Sequence, residues 1–250
     1  MAGAALAQEP ASVLPAPMLD NPAATYRLCL ELARTNPEQG FEFAGRWLGL
    51  GGLEPARHCR AVALIGLKEY AEAASSLEEL AVASKQPARL RAGMLAQAGQ
   101  AWLLGADPGR ALASLTAALG LVPKDPMLLI DRAGILADDG KYWEAIDDLN
   151  AALERNPNHT DALTYRASAY RLVDAPDLAR EDAERALAIN PRHLGALLER
   201  GILSRAAKRD ADARKDWIRI LELAPESGEA DAARANLEKM DVKTGGAGGN

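Results

Sequence analysis

Small and large apolar positions recur along this chain with a period of 34 residues. In each copy, a residue with almost no side chain is followed 12 positions later by an alanine, and a proline stands 12 positions further on. Large apolar residues lie three or four positions after the small ones, which is the spacing of one face of an α-helix. Each copy therefore predicts two amphipathic helices and a proline turn. The small residues are Gly99, Ala133, Ala167 and Gly201; the alanines are Ala111, Ala145, Ala179 and Ala213; the prolines are Pro123, Pro157, Pro191 and Pro225.

The small residues mark the point where the two helices of one copy cross. Two helices approach closely only where neither carries bulk, so the Gly or Ala of the first helix faces the Ala of the second. The proline ends the second helix, because it disfavours a helical conformation for the residue before it. One helix pair cannot bury its hydrophobic surface alone, so the pairs are expected to stack on one another.

The order small, aromatic, Ala, large, Ala, Pro over 34 residues resembles the tetratricopeptide repeat (TPR). The resemblance covers residues 54–228, and four consecutive copies keep one register without a gap. Two positions depart from the family pattern: Arg replaces the usual Leu before the small residue in most copies, and Ser204 replaces an aromatic residue. The resemblance implies an all-α fold, a right-handed solenoid of helical hairpins.

The rest of the chain is expected to flank this array. A degenerate hairpin precedes it, and an amphipathic helix with a polar back follows it, as a cap for the open hydrophobic end. The predicted segments are a disordered leader over 1–21, a helical hairpin over 22–53, repeats over 54–91, 92–125, 126–159, 160–193 and 194–228, a capping helix over 229–241 and a disordered tail over 242–250.

Arginine and aspartate occupy two fixed slots of the repeat, 16 positions apart. One interpretation is a ladder of Arg–Asp pairs between the two helices of each copy, since bidentate pairing restricts both partners. The alternative is a row of arginines that binds an acidic ligand. A guanidinium that is already paired is a poor anion receptor, which favours the ladder. Its members are Arg132 and Asp148, Arg166 and Asp182, and Arg200 and Asp216.

Cys29 and Cys59 are the only two cysteines, and they fall on the first helices of neighbouring hairpins. They are either two small buried residues or a disulfide that joins the least regular hairpins. Disulfides persist in oxidising compartments. Ala5, Leu6 and Ala7 have the form of a signal-peptidase site, although the basic and apolar regions of a full signal are missing. Localisation is therefore open between the periplasm, or another exported location, and the cytoplasm.

The composition restricts the possible partners. The net charge is −6 and no run of Lys or Arg stands out, so a nucleic-acid backbone is not expected as the partner. No stretch reaches the ~18 apolar residues of a membrane span, so we expect no membrane insertion. Aromatic residues make up only 4% and β-branched residues are sparse, which favours helices almost throughout.

The residues that could support chemistry have simpler explanations. His159 and His193 hold the same slot of consecutive copies, and no cysteine or carboxylate pattern completes a metal site around them. His58 precedes Cys59, but adjacent helical residues point about 100° apart, so a Cys–His nucleophile is not expected. Residues 49–53, GLGGL, follow a helix and read as a stop signal rather than a phosphate loop. We expect no catalytic residue, metal or cofactor.

The resemblance also implies where a partner would bind. In this family the first helix of each pair lines a concave groove that receives a peptide or a helix, so we expect a protein-interaction scaffold. The alternatives are a self-assembling homo-oligomer and a catalytic or metal-binding repeat protein. The groove residues implied by the family are Gln97, Gln100, Asp131, Asp138, Tyr165, Arg171, Glu199 and Arg205.

Overall fold

The described part of the chain folds into α-helices joined by short turns. A computed structural model describes residues 15–245, and in that range there are 13 helices and no strand. The all-α fold class and the succession of helical hairpins predicted from the sequence are confirmed. The N-terminal signal-like residues 1–7 lie outside the described residues.

The chain divides into two compact units at Leu121 and Val122. The helices of the first unit are α1 (Pro22–Thr35), α2 (Pro37–Gly49), α3 (Leu53–Gly66), α4 (Tyr70–Ala83), α5 (Ala88–Leu104) and α6 (Pro108–Leu121). Those of the second unit are α7 (Pro126–Asp138), α8 (Tyr142–Arg155), α9 (Thr160–Leu172), α10 (Pro176–Ile189), α11 (Leu194–Ala206), α12 (Asp210–Leu223) and α13 (Gly228–Gly245). Each odd-numbered helix before α13 is the first of a pair.

Close helix contacts occur where the sequence has no side-chain bulk. A β-carbon on Gly201 of α11 would lie 2.4 Å from Nε1 of Trp217 on α12, and one on Gly40 of α2 would lie 2.4 Å from Cα of Ala33 on α1. Trp217 is only 1% exposed. The glycine of that copy therefore makes room for a tryptophan that fills the space between the two helices.

Three segment boundaries differ from those predicted. Helix α13 continues to Gly245, beyond the predicted end at residue 241. The extra residues 88–91 form the first turn of α5 rather than the end of the preceding repeat, because Ala88 and its neighbours are good helix formers. Part of the leader is ordered: the backbone nitrogen of Met18 donates to Oγ1 of Thr25 at 3.0 Å, and that hydroxyl donates to the Met18 carbonyl at 2.8 Å.

The turn inside each of the five helix pairs from α3 to α12 contains one residue with a left-handed backbone. Gly140 supplies it with a φ of 75°, whereas Lys68, Ala106, Asp174 and Lys208 adopt it with a β-carbon at φ between 58° and 65°. An L-residue in this conformation is destabilised by about 1–2 kcal/mol. The turn geometry is thus imposed by packing of the helix pair rather than by glycine alone.

Two Gly→Ala substitutions should have opposite effects on stability. We expect Gly140→Ala to lower the free energy of unfolding by roughly 0.5–1 kcal/mol, because the cost of the positive φ for alanine is partly offset by the smaller conformational freedom of the unfolded chain. Gly45→Ala, in the interior of α2, should raise it by a similar amount because alanine is the better helix former. Neither added methyl group meets any atom within 4 Å, so crowding contributes to neither result. Urea unfolding followed by circular dichroism measures both, and changes of the same sign would contradict the turn assignment.

Candidate functional site

A cavity of about 360 Å³ opens on the first-helix side of the N-terminal unit, between α1, α3 and α5. Most of its wall is apolar. The lining residues are Tyr26 from α1; Glu54, Pro55 and His58 from α3; Gln86; and Leu90, Gly93, Met94 and Gln97 from α5. Its size is at the lower end of the range of ligand sites, and its wall has their usual mixture of many apolar and few polar groups.

A chain of hydrogen bonds crosses the cavity wall. Oε1 of Gln97 can only accept, so it accepts from Nε2 of His58 at 2.8 Å. Nδ1 of the neutral ring is then left to accept from the hydroxyl of Tyr26 at 2.7 Å. The imidazole is 8% exposed and both its nitrogens are occupied. His58 therefore holds two other side chains in position and is not free to act as an acid or a base on a ligand.

Burial keeps His58 neutral. Loss of solvation lowers its pKa below the ordinary value of 6.5, and the positive charge of Arg34 lowers it further. The hydrogen bond to Gln97 and the negative charge of Glu54 raise the pKa by less, so the net direction is downward. Loss of solvation also raises the pKa of Tyr26 above 10.0, so its hydroxyl stays protonated and able to donate.

This depressed pKa makes the stability depend on pH. As the pH falls below 6.5, an unfolded chain takes up a proton at His58 that the folded chain does not, so the free energy of unfolding should fall until the folded-state pKa is passed. One such group gives a slope of at most about 1.4 kcal/mol per pH unit. Urea titrations of the wild type and of His58→Gln over this range measure the effect. A slope of equal size in both proteins would contradict it.

Gln97 was predicted from the sequence as a groove residue, whereas Tyr26 and His58 were not. The groove slot, two positions before the small residue, holds Cys59 in the irregular copy that begins at residue 54. The structure bonds Cys59 to Cys29, so the neighbouring His58 lines the cavity instead. The repeat pattern that would have identified Tyr26 and His58 as groove residues is weak, because both lie in the least regular copies.

Tyr165 is the most exposed large side chain predicted for the groove of the C-terminal unit, at 49%. Partial burial raises its pKa, and the negative charges of Asp161, Asp131 and Glu229 raise it further. Those three carboxylates come from α9, α7 and α13, so acidic groups from three helices surround this phenol. Burial, and next the charge of Asp125, raise the pKa of Asp131 as well.

Two of the predicted groove residues in this unit bond to each other. Nε and Nη2 of Arg171 donate to the carboxylate of Glu199 at 2.7 and 3.0 Å, which joins α9 to α11. Arg205 instead donates to Asp210 of α12 at 2.5 Å. These three predicted residues therefore have partners inside the protein, whereas Gln100, Asp138 and Tyr165 face solvent.

The structure brings together the arginines and aspartates of the repeated slots. In each of three copies the guanidinium donates two hydrogen bonds, of 2.6–2.8 Å, to a carboxylate that is at most 9% exposed. Nη1 of Arg166 also donates to Asn150 of the preceding helix at 2.7 Å. Because the carboxylates occupy the guanidinium edges, this geometry favours a structural role over anion binding.

In the N-terminal unit, the repeat positions that hold Arg and Asp in the C-terminal unit carry other residues or make other contacts. Oγ of Ser114 donates to Glu78 at 2.5 Å, and Nε1 of Trp102 donates to the same oxygen at 2.9 Å. Arg60 contacts Glu72 at 3.3 Å, not Ser76, and its guanidinium lies 4.7 Å from the ring centre of Phe41. The Arg–Asp arrangement therefore belongs to the three copies of the C-terminal unit, as far as the described residues show.

His159 and His193 cap the N-termini of helices. Their Nδ1 atoms accept from the backbone nitrogens of Ala162 at 3.3 Å and Ala196 at 3.2 Å, and Nε2 of His193 contacts Asp161 at 2.8 Å. Residues 15–241 contain no group of three or more His, Cys, Asp or Glu side chains arranged to hold a metal. Across the described helices, none is long and apolar enough to cross a membrane.

Cys29 of α1 and Cys59 of α3 form a disulfide with a Cα–Cα distance of 6.0 Å. Both residues are completely buried, and they pack with Ala33, Phe43 and Trp47 in the core of the first two hairpins. Among the described residues no free cysteine is left. The bond joins the first helices of neighbouring hairpins, one helical turn from Tyr26 and next to His58.

No protein-family model and no curated protein matches the chain. Solved structures do. A tetratricopeptide repeat protein from Parabacteroides merdae ATCC 43184 is 22% identical over 76% of this chain and 79% of its own, with a TM-score of 0.61. YrrB, described as a TPR protein with an unusual peptide-binding site, is 24% identical over 70% and 90%, with a TM-score of 0.57.

A relative with higher sequence identity covers a shorter stretch. The first TPR of Spaghetti (RPAP3), bound to an HSP90 peptide, is 30% identical over 48% of this chain and 93% of its own, with a TM-score of 0.44. The 34-residue register and the helical-hairpin arrangement agree with the matches to the Parabacteroides merdae protein and to YrrB. The chain has the fold of tetratricopeptide repeat proteins.

Proposed function

We propose that this chain is a non-catalytic scaffold that binds a peptide or a helix of a partner protein on the faces of its first helices. The observation that carries the proposal is a difference in hydrogen bonding. In three copies the Arg and Asp side chains between the helices of a pair bond to each other, whereas Gln100, Asp131, Asp138 and Tyr165 on the first helices have no hydrogen-bond partner among the described residues. Unpaired polar groups on a helical face are available to a partner's backbone and side chains.

The chemistry of the buried groups supports a role in binding rather than catalysis. Both nitrogens of His58 are engaged, and Cys29 and Cys59 are bonded to each other. The likeness in fold to YrrB, whose description names a peptide-binding site, agrees with this role.

Affinity capture from a lysate of the source cells tests the proposal. The wild type is compared with Gln100→Ala/Asp138→Ala/Tyr165→Ala, which changes first-helix faces, and with Glu79→Ala/Leu178→Ala/Ile218→Ala, which changes second helices. We expect one partner to be retained by the wild type and the second-helix variant and lost by the first-helix variant. Identical capture by all three proteins would refute binding through the first-helix faces.

Self-assembly is the alternative result of the same experiment. If the bait captures only its own copies, light scattering after size-exclusion chromatography gives the number of chains per particle. An oligomer that dissociates in the second-helix variant would assign those faces to contacts between copies, because they expose Trp143, Leu178 and Ile218. A monomer at micromolar concentration would contradict self-assembly, and the proposed partner would then be a different protein.

We further propose that the chain works in an oxidising compartment, such as the periplasm. The support is the completely buried Cys29–Cys59 bond, since buried disulfides persist where glutathione and thioredoxin do not reduce them. Source cells are first separated into exported and cytoplasmic fractions, each fraction is quenched in acid, the protein is unfolded, and free thiols are labelled with a maleimide polymer. The proposal expects no labelled cysteine in the exported fraction, and two labelled cysteines in a cytoplasmic fraction would contradict it.

A further inference from the structure

We infer that the cavity of the N-terminal unit takes one large apolar side chain of a partner segment that has a basic residue beside it. The inference rests on the proposed scaffold function and specifies the chemistry of one subsite. Four features of the wall support it: its shape, its hydrogen-bonding groups, its charge, and a glycine that leaves the space open.

The shape suits a side chain better than a flat contact. Tyr26, Pro55, Leu90 and Met94 surround the opening with apolar surface, and the space of about 360 Å³ is concave but open to one side. Leu90 is 55% exposed, so this apolar surface faces solvent in the free protein. Covering it with a Leu, Met or Phe side chain removes apolar area from water on both partners.

The polar part of the cavity wall can hydrogen-bond to the partner's backbone on either side of the apolar side chain. Gln97 uses Oε1 to accept from His58, and its amide nitrogen has no partner among the described residues. That nitrogen can donate to a backbone carbonyl of the partner. Because His58 is buried and bonded to both Tyr26 and Gln97, these two side chains are held in place before the partner arrives.

The charge of the wall favours a basic neighbour. Of the nine lining residues, Glu54 is the only one with a carboxylate and none is Lys or Arg, while burial lowers the pKa of His58 and so disfavours a positive charge there. Oγ of Ser84 donates to one carboxylate oxygen of Glu54 at 2.7 Å, and this hydrogen bond holds the carboxylate in one orientation. Arg34 is close enough to affect the pKa of Tyr26 and His58, but it does not line the cavity. A lysine or arginine beside the anchor would meet Glu54, whereas an acidic residue would be repelled.

Gly93 of α5 offers a way to fill the cavity without damage to the fold. It lines the cavity, and a β-carbon built on it meets no atom within 4 Å. Gly93→Leu should therefore occupy the space of the partner's side chain and also strengthen α5, because leucine is a better helix former than glycine. Gly45→Leu is the matched control: Gly45 is also exposed in a helix of the same unit, has no atom within 4 Å of its β-carbon, and does not line the cavity.

The probe is a capped peptide with a Lys-Leu pair in a Gly/Ser background, titrated into the full-length, ¹⁵N-labelled oxidised protein. We expect saturable amide shifts that concentrate on α3 and α5 around the cavity. Replacing the probe's Leu by Ala should weaken binding about tenfold or more, from the loss of buried apolar area. Replacing its Lys by Glu should weaken binding about threefold. Gly93→Leu should abolish the shifts, and Gly45→Leu should leave them unchanged.

The inference is overturned if the peptide causes no shifts at the cavity or if Gly93→Leu binds it as the wild type does. Failure of the scaffold proposal gives a different result. If the partner captured from the lysate is retained by Gly93→Leu but lost by Gln100→Ala/Asp138→Ala/Tyr165→Ala, the subsite is wrong and the scaffold function stands. If all of these variants capture the same proteins, the first-helix faces do not bind the partner and both proposals fail.

Discussion

Replacement of Asp182 by alanine is expected to lower the free energy of unfolding by about 3–5 kcal/mol. The carboxylate of Asp182 is 5% exposed and accepts two hydrogen bonds of 2.7 Å from Arg166, which is 17% exposed. Without it, a mostly buried guanidinium loses its counter-charge and two acceptors while its desolvation remains. Burial by itself lowers the pKa of Arg166, and the hydrogen bond to Asp182 more than offsets that effect. Urea unfolding followed by circular dichroism measures the loss.

A second aspartate of the same helix provides the control. Asp177 also pairs with an arginine, Arg180, at 3.2 Å, but its side chain is 91% exposed. Asp177→Ala should change the stability by less than about 1 kcal/mol, because water screens an exposed pair. Joint replacement of Arg166 by Met and Asp182 by Leu should recover much of the loss, since no uncompensated charge remains. Equal effects of Asp182→Ala and Asp177→Ala would mean that the buried pair does not support the helix pair.

Loss of the Cys29–Cys59 bond is expected to cost about 3–4 kcal/mol of stability. The bond closes a loop with a sequence separation of 30, and opening it increases the conformational freedom of the unfolded chain. Cys29→Ala/Cys59→Ala, compared with the oxidised wild type by urea unfolding, measures this cost. Adding a reductant during unfolding of the wild type should bring it to the level of the double variant.

The single variants separate a bridge from two packed thiols. If the bond exists, Cys29→Ala alone removes it, so the single and double variants should be nearly equal in stability. Two independent buried thiols would give costs that add, and reductant would then have no effect on the wild type. Additive costs together with insensitivity to reductant would contradict the disulfide.

The fold was largely predictable from the sequence because each contact inside a copy has a fixed spacing. The crossing of Gly201 with Trp217, like the approach of Arg166 to Asp182, spans 16 residues within one helix pair. Four copies repeat the crossing interval in register, and three repeat the Arg–Asp interval. A repeated interval identifies a contact in a way that a single occurrence cannot. Helix pairs, turns and the all-α class follow from such intervals.

Contacts between copies were not predictable in the same way. Arg171 bonds to Glu199 across 28 residues, and His58 bonds to Gln97 across 39 and to Tyr26 across 32. None of these three residue pairs recurs at the same positions of another copy, and the contacts depend on how neighbouring first helices are offset. The spacing therefore does not predict that Arg171 and Glu199, two of the groove residues implied by the family, hydrogen-bond to each other. The end of α13 was missed because the glycine-containing tail predicts no helix, although the chain remains helical to Gly245.

The position of the disulfide has a consequence for the kinetics of recognition. Cys29 lies one turn from Tyr26, and Cys59 is adjacent to His58, so the covalent bond fixes two walls of the cavity relative to each other. A receptor whose walls are set before the encounter binds by a single docking step, and differences in affinity between ligands then reside mainly in their residence times. In the oxidised protein, the bond thus sets the relative position of the two cavity walls independently of any partner.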